Sequence, residues 1–319
     1  MTDDEHRSHY NLYDQGYAGL PVAQAPWDEA AGPRPEAGAV AWRFTASEWD
    51  EDSPGRISEC FDWFFERVDT AKVTAMVIGE WEECCSGDNA ETVGRLAANA
   101  GRLPELRSLF LGAISPEQSE ISRIQQSDIT PLLEAFPKLE RLEVRGGTGL
   151  GLRPVRHESL RVLRMETGGL PGTVVRGVSG SELPALERLE LWFGVGEHGG
   201  DATAADCAGL LSGAGLPRLR HLGLQNSEIA DELAAAVSTA PVVARLETLS
   251  LSMGALSDAG GEALLSGRPL THLRRLDLSH HFLSSAMIAR VKAALPGVEV
   301  VLFETGDLNR NRRYVAVSE

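Results

Sequence analysis

The sequence predicts an α/β fold: a curved solenoid with about nine parallel strands on its concave face and helices or loops on its convex face. A nine-residue phrase recurs, as "LPELRSLFL" from Leu103, "FPKLERLEV" from Phe136, "LPALERLEL" from Leu183 and "LPRLRHLGL" from Leu216. Within it, three apolar anchors follow the pattern LxxLxL, and the last two alternate with polar residues, the period of a strand with one buried face. The interval to the next copy is too long for a hairpin and often carries a helical pattern. Strand, return segment and strand give parallel pairing. One such unit cannot bury its own apolar face, so stacked neighbours must do it.

In chain order, residues 1–35 form an acidic, Pro- and Gly-rich segment, expected to be mobile or without regular structure. Residues 36–69 are predicted to cap the array. "AVAWRFTA" (39–46) reads as a strand. "SPGRISECFDWFFERV" reads as a helix with Ser53 as N-cap, Pro54 at the first position and a stripe of Ile57, Phe61, Phe64, Phe65 and Val68. The array itself spans 70–305. Its first anchors are Val73, Leu106, Leu139, Leu160, Leu186, Leu219, Leu246, Leu273 and Val298, separated by 33, 33, 21, 26, 33, 27, 27 and 25 residues. The 21-residue unit is too short for a full helix. "SDAGGEALLSG" and "SSAMIARVKAAL" read as helices. Residues 306–319 form the C-terminal cap, in which "YVAV" is expected to add a last strand after Phe303, behind Arg310, Arg312 and Arg313.

The recurring LxxLxL pattern resembles the leucine-rich repeat family over about residues 70 to 305, and "LSLSMGALSDAGGEALL" is similar to its ribonuclease-inhibitor-like class. One departure stands out. The family places Asn or Cys three residues after the third anchor, where this chain has Ile114, Gly147, Gly168, Gly194, Ser227, Gly254 and His281. More narrowly, "EISRIQQSDITPLLEAFPKLERLEVRG" and the terminal "RRYVAVSE" resemble an uncharacterised bacterial family of cytosolic leucine-rich repeat proteins, often encoded near radical-SAM and ATP-grasp enzymes.

The net charge of −16 argues against nonspecific binding to nucleic acid or to an anionic membrane. Residues 1–59 hold 12 acidic residues against 4 arginines. The N-terminus has no apolar core of a signal peptide, and there is no run of 18 apolar residues. Cys60, Cys84, Cys85 and Cys207 show no metal or disulfide spacing, so reduced thiols in the cytoplasm are expected.

Polar residues between the anchors point away from the core. They give the expected partner-binding set: Arg141, Glu143, Arg145, Arg164, Glu166, Arg188, Glu190, Trp192, His221 and Gln225. The plain alternative is a solvated cross-strand ion ladder. Arg and Trp are the types that most often anchor interfaces, which favours recognition. "EWEECCSGDNAE" (80–91) reads as a loop leading to a helix capped by Ser86 or Asp88. His280 and His281 read as loop residues, one filling the absent Asn position. "EHRSH" lies in the acidic N-terminal segment, and "GGTGLGLRP" (146–154) reads as a flexible loop between repeats. No catalytic, metal or cofactor motif stands out. The expected function is a non-catalytic scaffold or adaptor that binds protein or peptide. An accessory substrate-recognition subunit of a peptide-modifying enzyme system is the alternative, implied by the family resemblance alone. A stand-alone enzyme with its site assembled by folding ranks third.

Overall fold

The computed structural model describes residues 16–46, 55–306 and 312–319. Among these, eleven strands form one open sheet in which every strand lies beside its neighbours in sequence. The strands are β1 (Val22–Ala25), β2 (Ala41–Phe44), β3 (Ala75–Ile78), β4 (Ser108–Leu111), β5 (Arg141–Arg145), β6 (Val162–Glu166), β7 (Arg188–Gly194), β8 (His221–Ser227), β9 (Thr248–Ser250), β10 (Arg275–Asp277) and β11 (Glu299–Val301). All ten pairings are parallel. Eight α-helices lie in the connections: α1 (Ile57–Arg67), α2 (Ala90–Ala98), α3 (Thr130–Ala135), α4 (Gly172–Ser179), α5 (Ala208–Ser212), α6 (Ala230–Thr239), α7 (Asp258–Ser266) and α8 (Ser285–Ala294). The arrangement is solenoid-like, one strand per unit.

Register explains the recurring phrase. Leu109, Leu142, Leu163, Leu189, Leu222, Leu249 and Leu276 are Cα partners along consecutive strands. Each is buried, so the middle anchor of each copy builds one continuous column of the core. The residue after each first anchor hands its N–H to the same position of the preceding unit: Glu140 to Arg107 (2.7 Å), Arg161 to Glu140 (2.7 Å), Glu187 to Arg161 (2.8 Å), Arg220 to Glu187 (2.9 Å), Glu247 to Arg220 (2.7 Å) and Arg274 to Glu247 (2.8 Å). Charge alternates along this row, and its side chains pair as Arg107–Glu140, Arg161–Glu187 and Arg274–Glu247. The alternation was readable in the sequence, but it is not part of the set expected to bind a partner.

The N-terminal end is closed by aromatic packing. Phe44 stacks on Phe61 at 4.7 Å, with Phe64 edge-on to Phe44 at 5.0 Å, and Trp42 meets Phe64 at 5.7 Å. The cap strand and helix are thus present, with Arg56 at the helix N-cap. Ser53 and Pro54 lie outside the described residues, as do Arg310 and the two histidines of "EHRSH". Part of the N-terminal segment is regular, which corrects the expectation for residues 1–35: Val22–Ala25 pairs with β2, and Tyr17, Leu20 and Val22 join a second apolar cluster with Ala41, Ala75, Val77, Phe110 and Ala113.

The short unit between β5 and β6 has no helix. His157 serves its backbone instead: Nε2 lies 3.0 Å from the Phe136 carbonyl, and Nδ1 accepts from the Leu160 N–H at 3.1 Å. Burial lowers its pKa, consistent with a neutral imidazole in that place. The loop 146–154 is tied down rather than flexible, since the Gln126 N–H reaches Thr148 O and the Ile129 N–H reaches Gly151 O.

The missing Asn ladder also has a physical account. A Cβ at Gly194, whose φ is +65°, would collide with the Gly168 carbonyl, and one at Gly147 with that of Gly169. Neighbouring turns approach backbone to backbone, and only glycine admits this. His281 fills its own position differently, with Nδ1 accepting from the Leu283 N–H at 3.1 Å.

The C-terminal cap differs from expectation. Residues 312–319 form no strand after β11 but turn back over the turns that follow β10 and β9 and over the end of β8. The edge strand β11 is only three residues long, and the tail finds backbone partners elsewhere. Leu189 has no exposed surface in the middle of the column. Leu189→Ala should therefore cost about 2–5 kcal/mol, read as a lower denaturant midpoint with unchanged slope.

Candidate functional site

The face of the sheet opposite the leucine column is polar from β5 to β10. Its residues fall in rows because parallel pairing keeps equivalent positions side by side. One row runs Arg188, His221, Thr248, Arg275 and Glu299; the next runs Glu143, Arg164, Glu190, Gly223, Ser250 and Asp277. Arg145 is opposite Glu166, and Trp192 is opposite Gln225. All ten residues expected from sequence therefore lie on one face. They do not occupy one row: Arg145, Arg164, Trp192 and His221 are spread over three.

The side chains form a connected network. Arg145 Nη1 is 2.7 Å from Glu166 Oε2, Arg164 Nη2 is 2.6 Å from Glu166 Oε1, and Arg164 Nε is 3.2 Å from Glu190 Oε2. Glu190 Oε1 then meets Arg188 Nη1 and His221 Nε2, each at 2.9 Å. The other imidazole nitrogen contacts the Thr248 hydroxyl. Arg141 pairs with Glu143 at 2.7 Å. Gln225 donates to Ser250 and Ser252 at 2.9 and 3.1 Å, and the Arg164 guanidinium lies 5.8 Å from the Trp192 ring.

Burial alone would raise the Glu190 pKa, but Arg164, His221 and Arg188 outweigh it and hold the carboxyl well below its usual range. For Arg141, burial favours the neutral form and Glu143 overcomes it, leaving the pKa raised.

Exposure divides the set. Arg145 and Trp192 expose 2% and 1% of their surface, and Glu143 and Glu166 are also buried. Trp192 therefore does not offer its ring to a partner, although strand alternation put it on this face. The arginines above the carboxylates are more open: Arg141 and Arg188 expose 39% and 30% of their side chains, against 7% for Glu143 and 12% for Glu190.

Imidazole between a hydroxyl and a carboxylate is a geometry able to move a proton. Here the Glu190 carboxylate is shared with two guanidiniums, those of Arg164 and Arg188, as well as with the imidazole. The arrangement is better suited to holding cations in fixed positions.

In the 80–91 stretch a loop leads into α2, but the N-cap is Asn89 rather than Ser86 or Asp88; Asp88, one residue before it, accepts from the Ala90 N–H at 2.9 Å. A cleft of about 280 Å³ lies between this stretch and the start of α1, lined by Arg56, Trp81, Glu82, Glu83, Asp88 and Glu91 among others. Cys84 and Cys85 sulfurs are 3.8 Å apart, and Cys85 also meets the Ser119 hydroxyl at 3.2 Å. Among the described residues, no group of three or more His, Cys, Asp or Glu is arranged to hold a metal ion, and no helix is long and apolar enough to cross a membrane.

The fold and this face define a solenoid-like α/β protein built on one parallel sheet. Among solved structures, the crystal structure of a Bacteroides fragilis protein, a structural genomics target, matches with a TM-score of 0.72 and 26% identity over 86% of this chain and 76% of the other. No protein-family model matches the chain, and no curated protein matches it in sequence.

Two measurements test this geometry. All four cysteines are free, but only Cys85 is exposed, and burial pushes Cys60, Cys84 and Cys207 up to about 12. Alkylation of native protein should label Cys85 first, and all four should react in denaturant; a denatured count of two or fewer would contradict the reduced state. The second concerns Glu190, whose pKa is depressed on folding. Its stabilisation is complete above about pH 4.3, the ordinary Glu value, and is lost as pH falls toward the folded pKa. Glu190→Gln should destabilise the protein at pH 7 by about 3 kcal/mol and make the fall in melting temperature between pH 5 and 3 shallower than in wild type.

Proposed function

We propose that this chain is a leucine-rich repeat scaffold of the ribonuclease-inhibitor-like class, and that the polar sheet face, concave in such an array, binds a carboxylate-bearing segment of a protein or peptide. The observation that carries the reading is vertical order within the network. Carboxylates lie underneath, Arg141, Arg164 and Arg188 lie over them at fixed spacing, and His221 stands beside Glu190, in a chain whose net charge is −16. Guanidiniums locked by buried partners lose little conformational freedom when they grip a carboxylate. Neighbouring strands are about 4.8 Å apart, so four units offer about 14 Å, the reach of a short peptide. Glu143, Arg145, Glu166, Glu190 and Trp192 act beneath the contact by positioning the residues that touch the partner. Gln225 extends the face toward Ser250 and Ser252.

Panning of a random peptide display library on immobilised protein tests this. Peptides rich in Asp and Glu should be enriched. Their affinity should fall at least tenfold in the Arg141→Ala, His221→Ala double variant, and should weaken as salt rises. Melting curves control for folding. Absence of acidic enrichment, or equal binding by the folded variant, would overturn the reading.

A further inference from the structure

The end of β8 and the turns after β9 and β10 share an unusual backbone. Asn226, Met253 and His280 stand two residues beyond the third anchors Leu224, Leu251 and Leu278, and all three are left-handed, with φ of 51°, 65° and 52°. That conformation is uncommon for residues other than glycine, and three in consecutive units is a reason to look for a role. The C-terminal segment lies across all three. Tyr314 packs edge-on against His280 and Phe282, with centroids 5.3 and 5.2 Å away. The Ala316 N–H donates to Met253 O at 2.8 Å. Asn226 Nδ2 donates to Val317 O at 2.5 Å, and its Oδ1 accepts from the Val317 N–H at 3.0 Å. The Ser318 carbonyl lies against Gly168, where a Cβ would stand 2.7 Å from it. At the other end, Arg313 Nη1 donates to Asp231 Oδ2 at 2.7 Å and to Ala255 O at 2.6 Å.

These contacts have the character of peptide recognition. Asn226 is fully buried, and its amide pairs with both backbone groups of one residue, a contact indifferent to that residue's side chain. The selective contacts are Asp231 for a basic residue and the His280–Phe282 pair for an aromatic one. Left-handed turns let successive units aim carbonyls and an amide at one line.

We propose that this rim is a binding site for an extended peptide with a basic residue and an adjacent aromatic residue, and that the chain's own tail fills it in cis and can fill the same site of a second copy in trans. The site is separate from the polar sheet face, so its test does not depend on the function proposed there.

The experiment uses two full-length variants. Val317→Pro removes the N–H that Asn226 reads and should release the tail, leaving the rim empty. Asn226→Gly keeps the left-handed backbone but deletes the amide, giving a broken rim with an intact tail. A fluorescent octapeptide of sequence 312–319 should bind Val317→Pro at least tenfold more tightly than wild type, and Asn226→Gly in that background should abolish the gain. Val317→Pro mixed with the Asn226→Gly protein should form a one-to-one complex in sedimentation, which neither forms alone. Melting curves confirm that both variants fold, and Arg313→Ala serves as a second tail variant if Val317→Pro does not. Unchanged amide-exchange protection of Ala316 and Val317 in Asn226→Gly would overturn the role of the amide. Failure of an emptied, folded rim to bind the peptide would overturn the site.

Discussion

The structure depends on one hydrogen bond made again and again. Just past each first anchor, a backbone N–H reaches the carbonyl of the same position one unit back, six times in succession from Arg107 to Arg274. This bond fixes register, and a slip of one residue would turn every leucine of a strand from the core to the other face. The alternating arginines and glutamates carried on those residues penalise a slip by a whole unit, because like charges would then meet. The leucine column, the polar rows and the line of left-handed turns are three readings of that register.

Seen this way, the ion network on the polar face is a product of stacking. Arg164 and Glu190 are far apart in sequence and adjacent only because their strands are. Glu190 is kept ionised despite burial by the cations around it, and those cations are oriented by the carboxylate they share. The cost of taking such groups out of water is offset only while every member is present. The face is therefore rigid, and it is vulnerable to single substitutions.

Much of the fold was legible because the anchors repeat. The strands from β3 to β11 lie at the positions the LxxLxL pattern marks, and the aromatic stripe of α1 does pack against β2. β1 was hidden: Val22–Ala25 is short and flanked by proline and acidic residues, and nothing local shows that β2 waits to pair with it. The polar face was legible as a set of residues but not as a surface. Alternation places Trp192 and Arg145 on the correct side of the strand, yet whether a side chain on that side reaches solvent depends on what else covers the sheet. Glycine in place of Asn after the anchors departs from the pattern of the family the sequence resembles. It reflects a closer approach of neighbouring turns than a side chain permits.

In a stack of this kind each unit touches only its neighbours, so the end units open most readily and opening spreads inward. The clasp between Asn226 and Val317 changes that connectivity, since it joins residues 91 apart while neighbouring first anchors are 21 to 33 apart. With the tail in place, β9, β10 and β11 lie inside a closed loop, and the terminal unit cannot peel away alone. The last quarter of the chain then opens as a single cooperative block, and freeing eight residues at the end of the chain restores independent fraying to three strands.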